Sequence, residues 1–145
     1  MKSEEVRALI EGRYPGISDT GPREGRVMVN LPPGGLIDVL GFLHDQGVTH
    51  VSTISVVDRI EEKLFEVLYH FSWANNEITV RTEISRENPV IPTVTPVFPG
   101  ALTYEREIQD LFGIRVSEIP DPRRIVLPDD WPQGVYPLRK DYVVE

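Results

Sequence analysis

The chain has 145 residues, no cysteine, and 15 Lys and Arg against 23 Asp and Glu, for a formal charge of -8. That length is about one domain, able to bury on the order of 70% of its unfolded surface, and the missing cysteine removes disulfides, thiol nucleophiles, iron–sulfur ligation by this chain and cysteine-rich zinc sites. The negative charge repels phosphate backbones and anionic headgroups, so nucleic acid is not expected, and no apolar run approaches a membrane span.

Ser3 is placed to cap a first helix, with Glu4 and Glu5 in its opening turn and Val6, Leu9 and Ile10 as its apolar stripe. Residues 12–15 end it, and a short strand follows near Val27 to Leu31. Pro32, Pro33, Gly34 and Gly35 then break the chain before "LIDVLGFLHDQG", where Leu36, Val39, Leu40 and Leu43 fall at i, i+3, i+4 and i+7. Gly47 stands where a left-handed helix cap belongs.

From His50 the apolar period changes from about 3.6 to 2, the mark of strands. "HVSTISVVD" is rich in β-branched residues; Phe65, Val67, Tyr69, Phe71 and Trp73 then alternate with Leu64, Glu66, Leu68, His70 and Ser72, and Ile78, Val80, Thr82 and Ile84 with polar neighbours. Asn75-Asn76 suits the hairpin turn between them. Three successive antiparallel strands are expected, with the two earlier helices on their apolar face.

"ENPVIPTVTPVFPGA" carries Pro89, Pro92, Pro96 and Pro99, so it is a stiff connector, neither a central strand nor an ordinary helix. Val90, Ile91, Val94, Val97 and Phe98 make it too apolar to stay in water. "YEREIQDLFGI" is the next helix, its buried side expected to be Tyr104, Ile108, Leu111 and Phe112, with Gly113 as its stop. The remaining residues hold five prolines and no lasting periodicity, yet Ile125, Leu127, Trp131, Tyr136, Leu138 and Tyr142 argue against disorder. A greasy, proline-stiffened end of this kind is expected to be stable only when laid along a neighbouring molecule.

Candidate chemistry is sparse. Glu107 and Asp110 lie one turn apart and could act as acid and base or share a divalent ion, but spacing alone favours a solvated helix face with an Arg106–Asp110 pair. His44, His50 and His70 show no metal-ligand spacing, no nucleophile elbow is present, and "PPGGL" lacks the lysine of a phosphate-binding loop. Two basic doublets, Arg123-Arg124 and Arg139-Lys140, stand near Trp131, Tyr136 and Tyr142, the composition of an interface core. They could equally pair within the chain, with Asp121, Asp129, Asp130 or Asp141.

Four ordered stretches, "IPTVTPVFPGA" at 91–101, "ERE..D.FGI" at 105–114, "PDPRRIVLPDDW" at 120–131 and "YPLRKDY" at 136–142, carry a resemblance. The chain resembles the 30 kDa (C) subunit of respiratory complex I, the NADH:quinone oxidoreductase, and the equivalent hydrophilic subunit of membrane-bound energy-converting NiFe hydrogenases. The first ninety residues match only in layout. Ile119, Pro122 and Thr103 stand where the family commonly has histidine, leucine and tryptophan, so any role of that histidine is absent.

The resemblance implies an α+β fold of two layers, helices on a small mixed β-sheet, over residues 1–113, then an extended Pro-rich docking tail over 114–145. It implies a non-catalytic subunit of the peripheral arm, with no cofactor of its own. Fe–S clusters and a NiFe centre or quinone would sit in partner subunits: a large NiFe-hydrogenase-like or quinone-site subunit and a small Fe–S subunit. The membrane would be reached only through the complex, on its cytoplasmic face, and the isolated chain would self-associate through its uncovered apolar surface.

Glu105, Arg106, Glu107 and Asp110 would brace the junction of domain and tail, with Gly113, Pro120, Asp121 and Pro137 shaping it. Arg123, Arg124, Arg139, Lys140 and Asp141 would provide polar contact to the partner, and Trp131 and Tyr136 the apolar anchors. Two other readings remain: a hydrolase using Glu107, Asp110 and a histidine, and a peptide-binding module whose hairpin edge adds a partner's strand.

Overall fold

Period-two alternation over residues 64–85 builds the centre of the molecule. The structure, a computed structural model, describes residues 3–17 and 25–143. Strands β2 (Thr53–Arg59), β3 (Leu64–Trp73) and β4 (Asn76–Ser85) are successive antiparallel neighbours, as the alternation predicts. Strand β1 (Arg26–Asn30) adds in parallel beside β4, giving a mixed sheet of order β1-β4-β3-β2.

One face of the sheet is core. Phe65, Val67, Tyr69, Phe71, Ile78 and Val80 are wholly buried beneath helices α1 (Ser3–Arg13) and α2 (Leu36–Asp45). From α1 come Val6 and Ile10, i and i+4; Leu9 turns outward at 39% exposure, contrary to the expected stripe. The Ser3 side chain, and with it the expected cap, lies outside the described residues. Helix α2 buries Leu36, Val39, Leu40 and Leu43, and Gly47 at φ 109° turns the chain out of it.

The hairpin turn sits one residue earlier than predicted. Ala74 and Asn75 take the positive φ values, 48° and 64°, while the buried Asn76 opens β4 and donates from Nδ2 to the Ala74 carbonyl at 2.9 Å. That bond fixes Asn76 in the strand, leaving the alanine to adopt a conformation that glycine or asparagine would hold with less strain.

The Pro-rich connector is pressed against the core, with Ile91, Val94 and Phe98 buried. Its β5 (Val90–Pro92) pairs in parallel with β6 (Arg115–Ser117), which follows helix α3 (Leu102–Phe112). Ile114 and Val116 are core residues just past the 113/114 boundary, whereas residues 118–143 contain no described helix or strand.

Candidate docking site on helix α3 and the C-terminal segment

Helix α3 is packed on two sides, and of the side chains that hydropathy selects only Ile108 is fully buried. Glu105, Ile108 and Asp110 are buried; Tyr104, Leu111 and Phe112 are only partly so. Each buried carboxylate is held by donors from an irregular segment, which is what permits its burial.

Glu105 joins α3 to the connector. Its carboxylate accepts the Thr93 hydroxyl at 2.6 Å and the Val94 amide at 2.8 Å. Burial pushes the Glu105 pKa up, and the two hydrogen bonds only partly oppose this. The Tyr69 hydroxyl is buried without a hydrogen-bond partner, and burial together with the charge of Glu105 raises its pKa well above the ordinary value.

Arg106 and Asp110 face the tail instead of each other. Arg106 donates to the carbonyls of Arg123 and Arg124 at 2.7 and 3.0 Å and lies 3.6 Å from Asp121. Oδ2 of Asp110 accepts the successive amides of Ile125, Val126 and Leu127 at 2.8, 2.9 and 3.3 Å. Three convergent N–H groups form an anion-holding concavity, here filled by a side chain of the same molecule. Glu107 is half-buried and takes part in none of these bonds.

Farther on, the tail returns to α3. The Leu138 amide donates to the Leu111 carbonyl, and Arg139 Nε to that of Phe112 at 2.7 Å. The Arg139 guanidinium also stands over the rings of Tyr136 and Phe65, at 4.7 and 5.3 Å. Gly113, at φ 72°, is covered by Tyr136.

The tail ends at a charged hub. Buried Asp58 of β2 accepts Arg86 Nε at 2.9 Å and the Lys140 amide at 2.8 Å, and Arg86 Nη2 also meets Asp141 at 2.9 Å. Burial pushes the Asp58 pKa up, but the bonds from Arg86 and Lys140 outweigh it and hold the carboxyl below its ordinary value. Asp58 and Arg86 escaped the sequence reading, although Asp58 shares the parity of Ile54 and Val56 on the inward side of its strand.

The basic doublets divide. Arg124 Nη1 donates to the carbonyls of Pro128 and Trp131 at 2.9 and 2.7 Å, and Arg139 is likewise turned inward. Of the two readings of the doublets, Arg124 and Arg139 follow the intrachain one, with carbonyls in place of the expected carboxylates: a Pro-rich loop has many carbonyls without a ladder, and guanidinium forks supply the donors. Arg123, with its side chain 80% exposed, pairs with Asp121 and lowers that carboxyl's pKa; Lys140 is also exposed. Trp131 Nε1 donates to the Val135 carbonyl, and its ring lies 6.4 Å from that of Tyr142. Pro120 is exposed and Pro137 half-buried.

The tail therefore runs along its own helix, and this chain itself supplies many of its polar contacts. A cavity of about 350 Å³ remains between it and α3, lined by Asp110, Arg124 and residues 131–136. The histidines lie elsewhere: His44 against Phe98, His50 with Thr49, and His70 between Ser55 and Thr79 on the outer sheet face. None hydrogen-bonds to Glu107 or Asp110, so the hydrolase constellation is not assembled. Nor is the β3–β4 hairpin free to add a strand, because β1 and β2 flank it.

A family described as "Respiratory-chain NADH dehydrogenase, 30 Kd subunit" matches residues 29–145. The chain belongs to that family. The match begins far before residue 90, so the likeness is more than layout over the first part of the chain. The chain is 53% identical over 142 residues to "Formate hydrogenlyase subunit 5" of Escherichia coli (strain K12), covering 92% of this chain and 25% of that protein. It is 40% identical over 124 residues to the NADH-quinone oxidoreductase subunit (C) of Ruegeria pomeroyi (strain ATCC 700808 / DSM 15171 / DSS-3), covering 81% and 60%. The chain thus spans a quarter to three fifths of these relatives.

Among solved structures, a subunit of the membrane-bound sulfane sulfur reductase, described as an archaeal respiratory membrane complex, matches with TM-score 0.86 and 28% identity, covering 97% of this 30 Kd-family chain and 85% of that one. A trypsin-resistant fragment (1-134) of Nqo5 matches with TM-score 0.68 and 27% identity, covering 81% and 98%. No described helix is long and apolar enough to cross a membrane.

Proposed function

We propose that this chain is a non-catalytic peripheral-arm subunit of a complex I-like oxidoreductase or energy-converting hydrogenase, which scaffolds a large NiFe-type or quinone-site subunit and a small Fe–S subunit. The observation that carries the reading is the polarity of the tail. The amides of residues 125–127 and 140 and the Arg139 side chain turn inward onto α3 and β2, while Ile125, Val126, Leu138 and Val143, four of the six large exposed hydrophobics among the described residues, face out. Exposed apolar side chains interspersed with Arg123 and Lys140 suit coverage by another protein.

Family membership supports the same reading, as does a relative in which a segment like this chain forms a quarter of a longer polypeptide. The 53% identity to a formate hydrogenlyase subunit favours the hydrogenase branch. Electron transfer, with its Fe–S clusters and NiFe centre or quinone, would belong to the partners, and this subunit would reach the cytoplasmic face of the membrane only through them.

Tagged chain recovered from its native membranes should bring down a NiFe-type or quinone-site large subunit and an Fe–S subunit in constant ratio. Recovery of the bare chain, under conditions that keep such complexes whole, would overturn the proposal.

A further inference from the structure

We infer that the tail is ordered before any partner arrives, held by two latches that open separately. This deepens the docking reading by assigning how the docking element is presented. The first latch is Arg106 and Asp110 of α3, which together take two carbonyls and three amides of residues 123–127. The second is the Asp58–Arg86 pair, which takes the Lys140 amide and the Asp141 carboxylate.

Between them the chain is knit to itself: Arg124 holds the carbonyls of Pro128 and Trp131, and the Trp131 indole holds that of Val135. The latches share no side chain, the first lying on α3 and the second made by Asp58 of β2 and Arg86 just past β4. Ahead of the second, the Leu138 amide and Arg139 are held separately by the Leu111 and Phe112 carbonyls. A loop closed at both ends, with its carbonyls bonded internally, loses less conformational entropy on docking than a free tail of equal length. Asp58, 4% exposed, and Asp110, 7% exposed, are the acceptors around which the closure forms, and neither belongs to a catalytic constellation.

The test is limited trypsin digestion of the complete chain without partners, with cut sites read by mass spectrometry. Trypsin needs an accessible Arg or Lys on locally opened backbone, so the rate reports the open population. In the native chain, cleavage after Arg124 and Arg139 should be at least about 100-fold slower than in the urea-unfolded chain. Asp110→Ala should speed cleavage after Arg123 and Arg124 by about tenfold and leave Lys140 within about twofold; Asp58→Asn should speed cleavage after Lys140 by about tenfold and leave Arg123 and Arg124 within about twofold.

Should Asp58→Asn lose its cooperative melt, Asp141→Ala at an exposed position weakens the same latch while keeping the Asp58–Arg86 pair. Native cleavage at the unfolded rate would overturn the inference, and so would variants with native melts that each open both ends equally. Partner capture plays no part in this experiment, so the latches can fail while the docking proposal stands, and the reverse.

Discussion

The Cβ that Gly113 lacks would overlap Cε2 of the Tyr136 ring. Gly113 sits at φ 72° after α3, so its missing side chain serves both the turn and the tail that crosses it. Gly113→Ala should therefore cost about 2–3 kcal/mol, roughly 1 from the left-handed backbone and the rest from displacing the ring. Denaturant melts of Gly113→Ala, Tyr136→Ala and the double variant check this: the alanine should cost clearly less when Tyr136 is absent. Simple additivity would mean that the ring and the helix stop are not coupled.

At the β3–β4 turn, Ala74 bears φ 48° in a pair suited to glycine and asparagine. Ala74→Gly should raise stability by about 0.5–1 kcal/mol, because relief of strain outweighs the added freedom of the unfolded chain. A lowered melting temperature would contradict the described turn.

The two buried acids should give opposite pH slopes. Glu105 has a folded-state pKa raised above the ordinary 4.5, so its contribution to stability is fully present below 4.5 and is lost as pH climbs through the raised value. Asp58, lowered from 3.8, contributes stability above 3.8 that is lost as pH falls through the lower value. Urea melts across pH should show Glu105→Gln removing a decline on the neutral side of 4.5, and Asp58→Asn removing one on the acid side of 3.8. Either substitution flattening the other's window would refute the assignment.

The sheet and α2 were legible because burial there follows period. Phe65, Val67, Tyr69 and Phe71 alternate with Glu66, Leu68 and His70, Ile78 to Ile84 alternate with polar residues, and α2 repeats at helical spacing. The α3 burial was not legible, since hydropathy places Glu105 and Asp110 outside, and their donors are amides of segments distant in sequence. Arg124 and Arg139 misled for a related reason: a sequence shows which side chains can donate but not which carbonyls lie unpaired. The parallel place of β1 was hidden too, because alternation alone does not distinguish neighbours. The four motifs from 91 to 142 did disclose the family.

Docking through the tail's outer face is tested most directly by charging that face while sparing the latches. Tagged chain carrying Val126→Asp and Leu138→Asp should melt within about 1 kcal/mol of the unaltered protein, since Val126 is 50% and Leu138 52% exposed. Recovered from native membranes beside the unaltered chain, the variant should lose the large subunit and the Fe–S subunit by at least about tenfold. Equal recovery of both partners by the variant and the unaltered chain would contradict the account.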